Sequence, residues 1–133
     1  EVASGGEISR LMLSLKALIA HAMALPSIVF DEVDTGVSGE IADKMAGIMR
    51  EMAECMQVIS ITHLPQVASL GQTHYRVYKS DTETSTATHL IKLSEKERIE
   101  EIARMLSGSS LTAAALDNAC ELLKRNDLKD GKK

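Results

Sequence analysis

The run Ser27-Ile28-Val29-Phe30-Asp31-Glu32-Val33-Asp34 constrains this chain more than any other stretch. Three consecutive apolar residues lead directly into two adjacent carboxylates, and a third acid follows two positions on. A short, unbroken apolar run predicts a strand buried on both faces. Carboxylates at its end fall at the C-terminal edge of a parallel sheet, where open α/β folds bind ligands. What these acids serve depends on what the neighbouring segments bring to that edge.

Upstream stands Ser4-Gly5-Gly6-Glu7. A Ser ahead of helical periodicity is an N-cap, and two glycines allow close approach of backbone to a ligand. Ile8, Leu11, Met12, Leu15, Leu18, Ile19 and Ala22 then recur at spacings of three and four, the apolar face of a helix running to about Met23. Such a start is either an ordinary capped turn or an anion site, with free N–H groups at the positive end of the helix dipole.

Downstream, Pro26 closes the connection to the strand 27–31, and 34–39 reads as a polar, glycine-containing loop. Ser38 is placed to cap a helix whose buried stripe is Ile41, Met45, Ile48, Met49 and Met52, ending near Glu54. Gln57-Val58-Ile59-Ser60-Ile61 predicts a second strand, ending at Thr62-His63, and Pro65 suits the first position of a short helix ending near Gly71. Strand, helix, strand and helix alternate, which predicts a βαβ unit with a parallel pair. Its right-handed crossover puts Asp31, Glu32 and His63 on one edge of the sheet. Further on, 73–79 and 86–93 predict a hairpin with its loop at 80–85. Ser94-Glu95-Lys96-Glu97 is a capping box opening a helix with Ile99, Ile102, Ala103 and Leu106 inward, closed by Gly108. Ser109 or Ser110 starts a last helix carrying Leu111, Ala115, Leu116, Ala119 and Leu123. Residues 126–133 read as a polar, frayed tail.

Composition narrows the classes further. With 133 residues the chain has the length of one domain, and with only three aromatics among them its core must be filled by aliphatic residues and seven Met. A net charge of −4 provides no global basic field for nucleic acid. Lys16, Lys44, Arg50, Arg76 and Lys79 are scattered, without aromatic interleaving. Cys55 and Cys120 fit no metal spacing and read as two buried free thiols of a reducing compartment. The sequence has no run of about 18 apolar residues, so no membrane span is expected. It opens in mid-motif without a Met, and is therefore expected to be a piece of something longer.

A Ser-Gly-Gly helix start, a strand ending in Asp-Glu and a strand ending in His are each weak signals. In this order they are specific. The chain resembles the C-terminal lobe of the nucleotide-binding head of ABC-type ATPases, most closely the SMC-like branch, whose signature motif has Glu after Ser-Gly-Gly. The wording of 2–10, 30–39, 62–68 and 101–108 narrows the resemblance to bacterial DNA repair members of that branch, over residues 1–125. The fold so implied is α/β: a mostly parallel sheet flanked by helices, then a hairpin and two C-terminal helices.

Carried over residue by residue, Ser4, Gly5 and Gly6 match the signature motif, and 28–32 the Walker B strand. The resemblance makes Asp31 the residue that helps hold Mg²⁺, usually through water, and Glu32 the one that orients the attacking water. Val33 to Gly36 correspond to the loop that follows, with Asp34 as its nucleotide-site acid facing a second head. His63 matches the switch histidine that reaches the γ-phosphate. The residue types suit these tasks: Mg²⁺ prefers oxygen ligands and keeps its waters, a carboxylate can take a proton from water, and a His can donate to a phosphate oxygen.

No Gly-x-x-x-x-Gly-Lys-[Ser/Thr] occurs in the chain. The resemblance implies that this P-loop lies in an N-terminal lobe, separated by a long coiled coil. Asp31, Glu32 and His63 would then serve ATP on the same polypeptide, while Ser4, Gly5 and Gly6 close over ATP held by a second copy. The chain by itself is expected neither to hydrolyse ATP nor to dimerise through it. The resemblance further implies a cytoplasmic, nucleoid-associated protein acting in double-strand break repair and recombination, with DNA and recombination proteins as partners. Three other readings compete. They are a self-contained metal-dependent phosphotransfer or nuclease domain using Asp31, Glu32, Asp34 and His63, a non-catalytic interaction module, and another SMC-like head from a condensin or a zinc-hook or hinge recombination protein.

Overall fold

The computed structural model describes residues 5–37, 39–81, 85–108 and 110–130. The chain divides into two compact units, one through Leu70 and one from Gly71.

In the first unit, α1 (Gly5–Ala22), β1 (Ser27–Asp31), α2 (Gly39–Ala53), β2 (Gln57–Ile61) and α3 (Pro65–Ala68) follow in order. The strands pair in parallel, in register from Ser27 opposite Gln57 to Asp31 opposite Ile61. This is the expected βαβ unit, with α2 as its crossover. α2 forms because Met45, Met49 and Met52 recur on one face with Ala42 and Ala46, and all five are buried. Glu40 in its first turn and Arg50 in its last suit the helix dipole. Phe30, fully buried, is the largest side chain of the core that α2 covers, and Ile28 and Val58 pack beside it. Pro65 takes the first position of α3, where its missing N–H costs nothing. Ser38, expected as the cap of α2, lies outside the described residues.

Several burial expectations are corrected. The strand at 27–31 is covered on one face only: Val29 is 57% exposed, and Ile59 and Ile61 beside it are exposed as well. Strand alternation puts these three on the side opposite Ile28 and Phe30. In α1 the stripe expected inward, Ile8, Leu11, Met12, Leu15, Leu18 and Ile19, lies exposed, and among the described side chains of α1 Leu13 and Ala20 are the buried ones. The chain leaves α1 through Ala24 in a left-handed conformation, φ 49°, with Leu25 N–H donating to the Ala20 carbonyl at 3.1 Å. That closure normally favours glycine. Cys55 is exposed and Cys120 half-buried, both as free thiols, so neither is the buried thiol expected.

In the second unit, β3 (Tyr75–Asp81) and β4 (Thr86–Lys92) form an antiparallel hairpin, followed by α4 (Glu95–Ser107) and α5 (Ala113–Asp130). Ser94 caps α4 through a complete capping box with Glu97. Those hydrogen bonds from Ser94 hold the Glu97 carboxyl below the usual carboxylate range. Gly108 ends the helix with φ 79°. Ile102 and Ala103 are buried as expected, whereas Leu106 is exposed. α5 starts later than expected, at Ala113, where Thr112 Oγ1 accepts the Ala115 N–H at 3.2 Å. Its helix continues through Asp130, and Asn126 is buried where a frayed tail is read from the sequence. On the hairpin's inner side Arg76 meets Glu101 at 3.3 Å, and Glu101 meets Arg104 at 3.1 Å. Burial first, then the Arg98 charge, lowers the His74 pKa from its ordinary 6.5, with Glu101 opposing.

Candidate functional site

The site grows from the C-terminal edge of the parallel pair. Glu32 N–H donates to the Ile61 carbonyl at 3.0 Å, carrying the ladder one residue past β1. The chain then turns sharply, because Glu32 adopts φ 47°. A left-handed conformation in a non-glycine residue costs about 1–2 kcal/mol, and its neighbours must hold it. They do so by hydrogen bonds: Thr35 donates to the Glu32 carbonyl from both N–H (3.3 Å) and Oγ1 (2.9 Å). Val37 N–H donates to the Asp34 carbonyl at 3.0 Å, and Gly36 takes the φ of 75° that the turn needs. The turn breaks the strand alternation, and Asp31 and Glu32 both stand exposed at the sheet edge.

From β2 comes the second half. Thr62 and His63 directly follow Ile61, the partner of Asp31. Asp34, read from the sequence as the acid of a partner-facing loop, is turned inward and only 1% exposed. Thr62 Oγ1 donates a hydrogen bond to Asp34 Oδ2 and accepts one from Leu64 N–H at 3.0 Å. Asp34 Oδ1 is buried without a hydrogen-bond partner, 3.9 Å from His63 Nδ1. The His63 side chain is 60% exposed, so the ring reaches from a buried acid to the surface.

Asp31, Glu32 and His63 thus stand at one sheet edge, as the crossover rule predicts, and Asp34 is brought beneath them by the loop after β1. Gly5 and Gly6 are the first residues of α1, and Ser4 lies outside the described residues. The opening N–H groups of a helix have no partners within it, which suits an anion there. Among the described residues no group of three or more His, Cys, Asp or Glu is arranged to hold a metal ion. Mg²⁺ in nucleotide sites takes one or two carboxylates and completes its shell with waters and phosphate oxygens. The exposed strand-end carboxylate of Asp31 fits that lesser demand. Thr62 is the residue that sequence reasoning missed. Its signal is a hydroxyl one step past a parallel strand, opposite a loop that carries an acid.

No helix among the described residues is long and apolar enough to cross a membrane. No family model matches the sequence. The fold is of the kind seen in SMC ATPases. The chain matches a solved structure from work on ATP-driven dimerisation and DNA-stimulated activation of SMC ATPases, with a TM-score of 0.64 at 18% identity. The match covers 81% of this chain and 65% of that one. In sequence the chain is similar to proteins named DNA repair protein RecN. It is 46% identical to that of Rickettsia conorii, 44% to that of Vibrio cholerae and 42% to that of Haemophilus influenzae, each over 92% of its length. It spans 22–23% of the length of these relatives.

Proposed function

We propose that this chain supplies the carboxylate-and-histidine half of an ATP-hydrolysing site in a RecN-like DNA repair protein. The observation that carries the reading is the shared edge: Asp31 and Glu32 end β1, and His63 follows β2 two residues past the partner of Asp31. Asp31 would hold Mg²⁺, by way of water, and the ion would offset charge on the phosphates when bound. Glu32, exposed and held by its turn, takes the position from which a carboxylate orients a water and accepts its proton. His63 donates to a γ-phosphate oxygen as charge moves there.

The phosphate cradle comes from the polypeptide's own P-loop lobe. The exposed apolar side of the parallel pair, Val29, Ile59 and Ile61, is the surface this reading assigns to it. Such a face in water is the mark of an interface. Ser4, Gly5 and Gly6, at and before the start of α1, close over ATP held by a second copy, so that ATP joins two heads. DNA and recombination proteins are the partners, and the cytoplasm, at the nucleoid, the location.

The test uses the longer polypeptide that carries this chain. Glu32→Gln is expected to keep ATP binding, to slow hydrolysis by about 100-fold or more, and to trap closed dimers. Hydrolysis at the wild-type rate would overturn the assignment. Ser4→Arg should leave ATP binding by one head intact and abolish ATP-driven dimerisation; unchanged dimerisation removes the role in trans. The 133-residue chain alone is expected to show no ATP turnover sensitive to Glu32→Gln.

A further inference from the structure

We propose that Asp34 and Thr62 are positioning residues that lock the turn after β2 onto the loop after β1 and so aim His63, with Asp34 making no contact to nucleotide. This rests on the function proposed above and assigns the control of its histidine.

Three observations carry it. First, Thr62 uses its single hydroxyl twice, donating to Asp34 Oδ2 and accepting from Leu64 N–H. Both flanks of His63 are thereby fixed: Thr62 precedes the histidine and Leu64 follows it. Second, Asp34 is 1% exposed, which removes it from any ligand at the surface. Third, its other oxygen, Oδ1, has no hydrogen-bond partner and lies 3.9 Å from His63 Nδ1. A buried carboxylate oxygen left unpaired is unfavourable, so a donor that can reach it is drawn in. Closing that gap by about 1 Å makes an ordinary hydrogen bond, and contacts of this kind commonly tighten only when substrate binds. With Nδ1–H directed to Asp34, Nε2 is the nitrogen left to face outward. Held this way, the ring turns Nε2 toward the side where an anionic oxygen would sit.

The loop after β1 also carries the strained Glu32 turn. One acid on that loop therefore ties the water-orienting and phosphate-contacting residues into a single frame.

Thr62→Val keeps the shape and removes the hydroxyl. Asp34→Asn keeps the size but leaves a single acceptor oxygen, and because Thr62 and His63 approach opposite oxygens of the carboxylate, the amide serves one of them and turns its NH₂ to the other. Each is expected to lower kcat of the longer polypeptide by roughly tenfold or more, with ATP affinity unchanged. Thr62→Ser, which keeps the hydroxyl, recovers most of the rate. The decisive readout is a cycle with His63→Ala, in which Asp34→Asn lowers kcat no further. A merely structural role predicts a further loss in that background, and that result overturns the proposal. So does a raised KM with kcat intact, which would make Asp34 a nucleotide contact. Glu32→Gln is run alongside. If it loses turnover while Thr62→Val and Asp34→Asn match wild type, this inference fails alone. If Glu32→Gln itself keeps the wild-type rate, the site reading fails first.

Discussion

Helices α1 and α2 carry the same sequence signal and meet opposite fates. Both show apolar residues at spacings of three and four. In α2 that stripe is the core: Met45 is fully buried, with Met49 and Met52 beside it. In α1 the corresponding stripe faces water, with Leu11 at 69% and Leu18 at 70% exposed. Among the described side chains of α1, those that pack inward are Leu13, Ala17 and Ala20, spaced four and three apart. Two of those three are small, which lets α1 lie close against its neighbours. Periodicity thus marks a face without saying what covers it. Such a helix has two sides able to pack, and within this chain the small-residue seam is the one that does so; a double cover of α1 would need the outer stripe to be covered as well.

The largest expected effect is at the core end of this comparison. Met45→Ala should destabilise the chain by about 2–5 kcal/mol, as a buried side chain is lost and a cavity left, measured by denaturant unfolding. A cost below 1 kcal/mol would mean that α2 is no better covered than α1.

A smaller loss comes from acid, acting through His74 of the second unit. His74 is held below its ordinary pKa, so the folded chain resists a proton that the unfolded chain accepts from pH 6.5 downward. Its contribution is present above pH 6.5 and is lost as pH falls toward the lowered value of the folded state. Melting temperature should therefore drop between pH 7.5 and 5.5, and His74→Phe should flatten that drop. If the slope survives in the variant, other groups carry it.

The sequence makes the parallel pair and its edge legible because strand chemistry is local. Five-residue strands rich in apolar residues, with acids or a His just at or past their ends, leave few alternatives once the crossover hand is fixed. The capping box at Ser94 and the stop at Gly108 are legible for the same reason, since each is a hydrogen-bonding or φ requirement met within a few residues. Burial is not local. Val29 and Leu18 are as apolar as Phe30 and Met45, and only the structure separates covered from uncovered. Asp34 shows the reverse case, an acid in a polar loop that the structure buries. A carboxylate in a polar loop reads as a surface ligand, yet its partner Thr62 lies 28 residues away, across the strand pair. Contacts between loops of different strands leave no periodic trace.

At the end of α1 the comparison can be sharpened by a gain. Ala24 closes the helix at φ 49°, a conformation costly for any residue with a Cβ. Ala24→Gly should relieve that strain and stabilise the chain by up to ~1 kcal/mol, after the greater freedom of glycine in the unfolded state is subtracted. A stability loss would show that α1 does not end in this closure in solution.

The smallest expected effect is the sharpest test of the difference between the helices. Leu18→Ala removes as many apolar atoms as a core truncation, and Ala is at least as good a helix former as Leu. In the 133-residue chain it should change stability by less than about 0.5 kcal/mol, because the side chain is already in water. In the longer polypeptide the same change should cost several-fold more, if the outer stripe of α1 is covered there. Equal, negligible costs in both would leave the stripe a solvent face, and α1 would have no double cover. A large cost in the short chain would mean that copies of it already cover one another through α1. Dilution separates that case, because self-association lost on dilution takes its share of the stability with it.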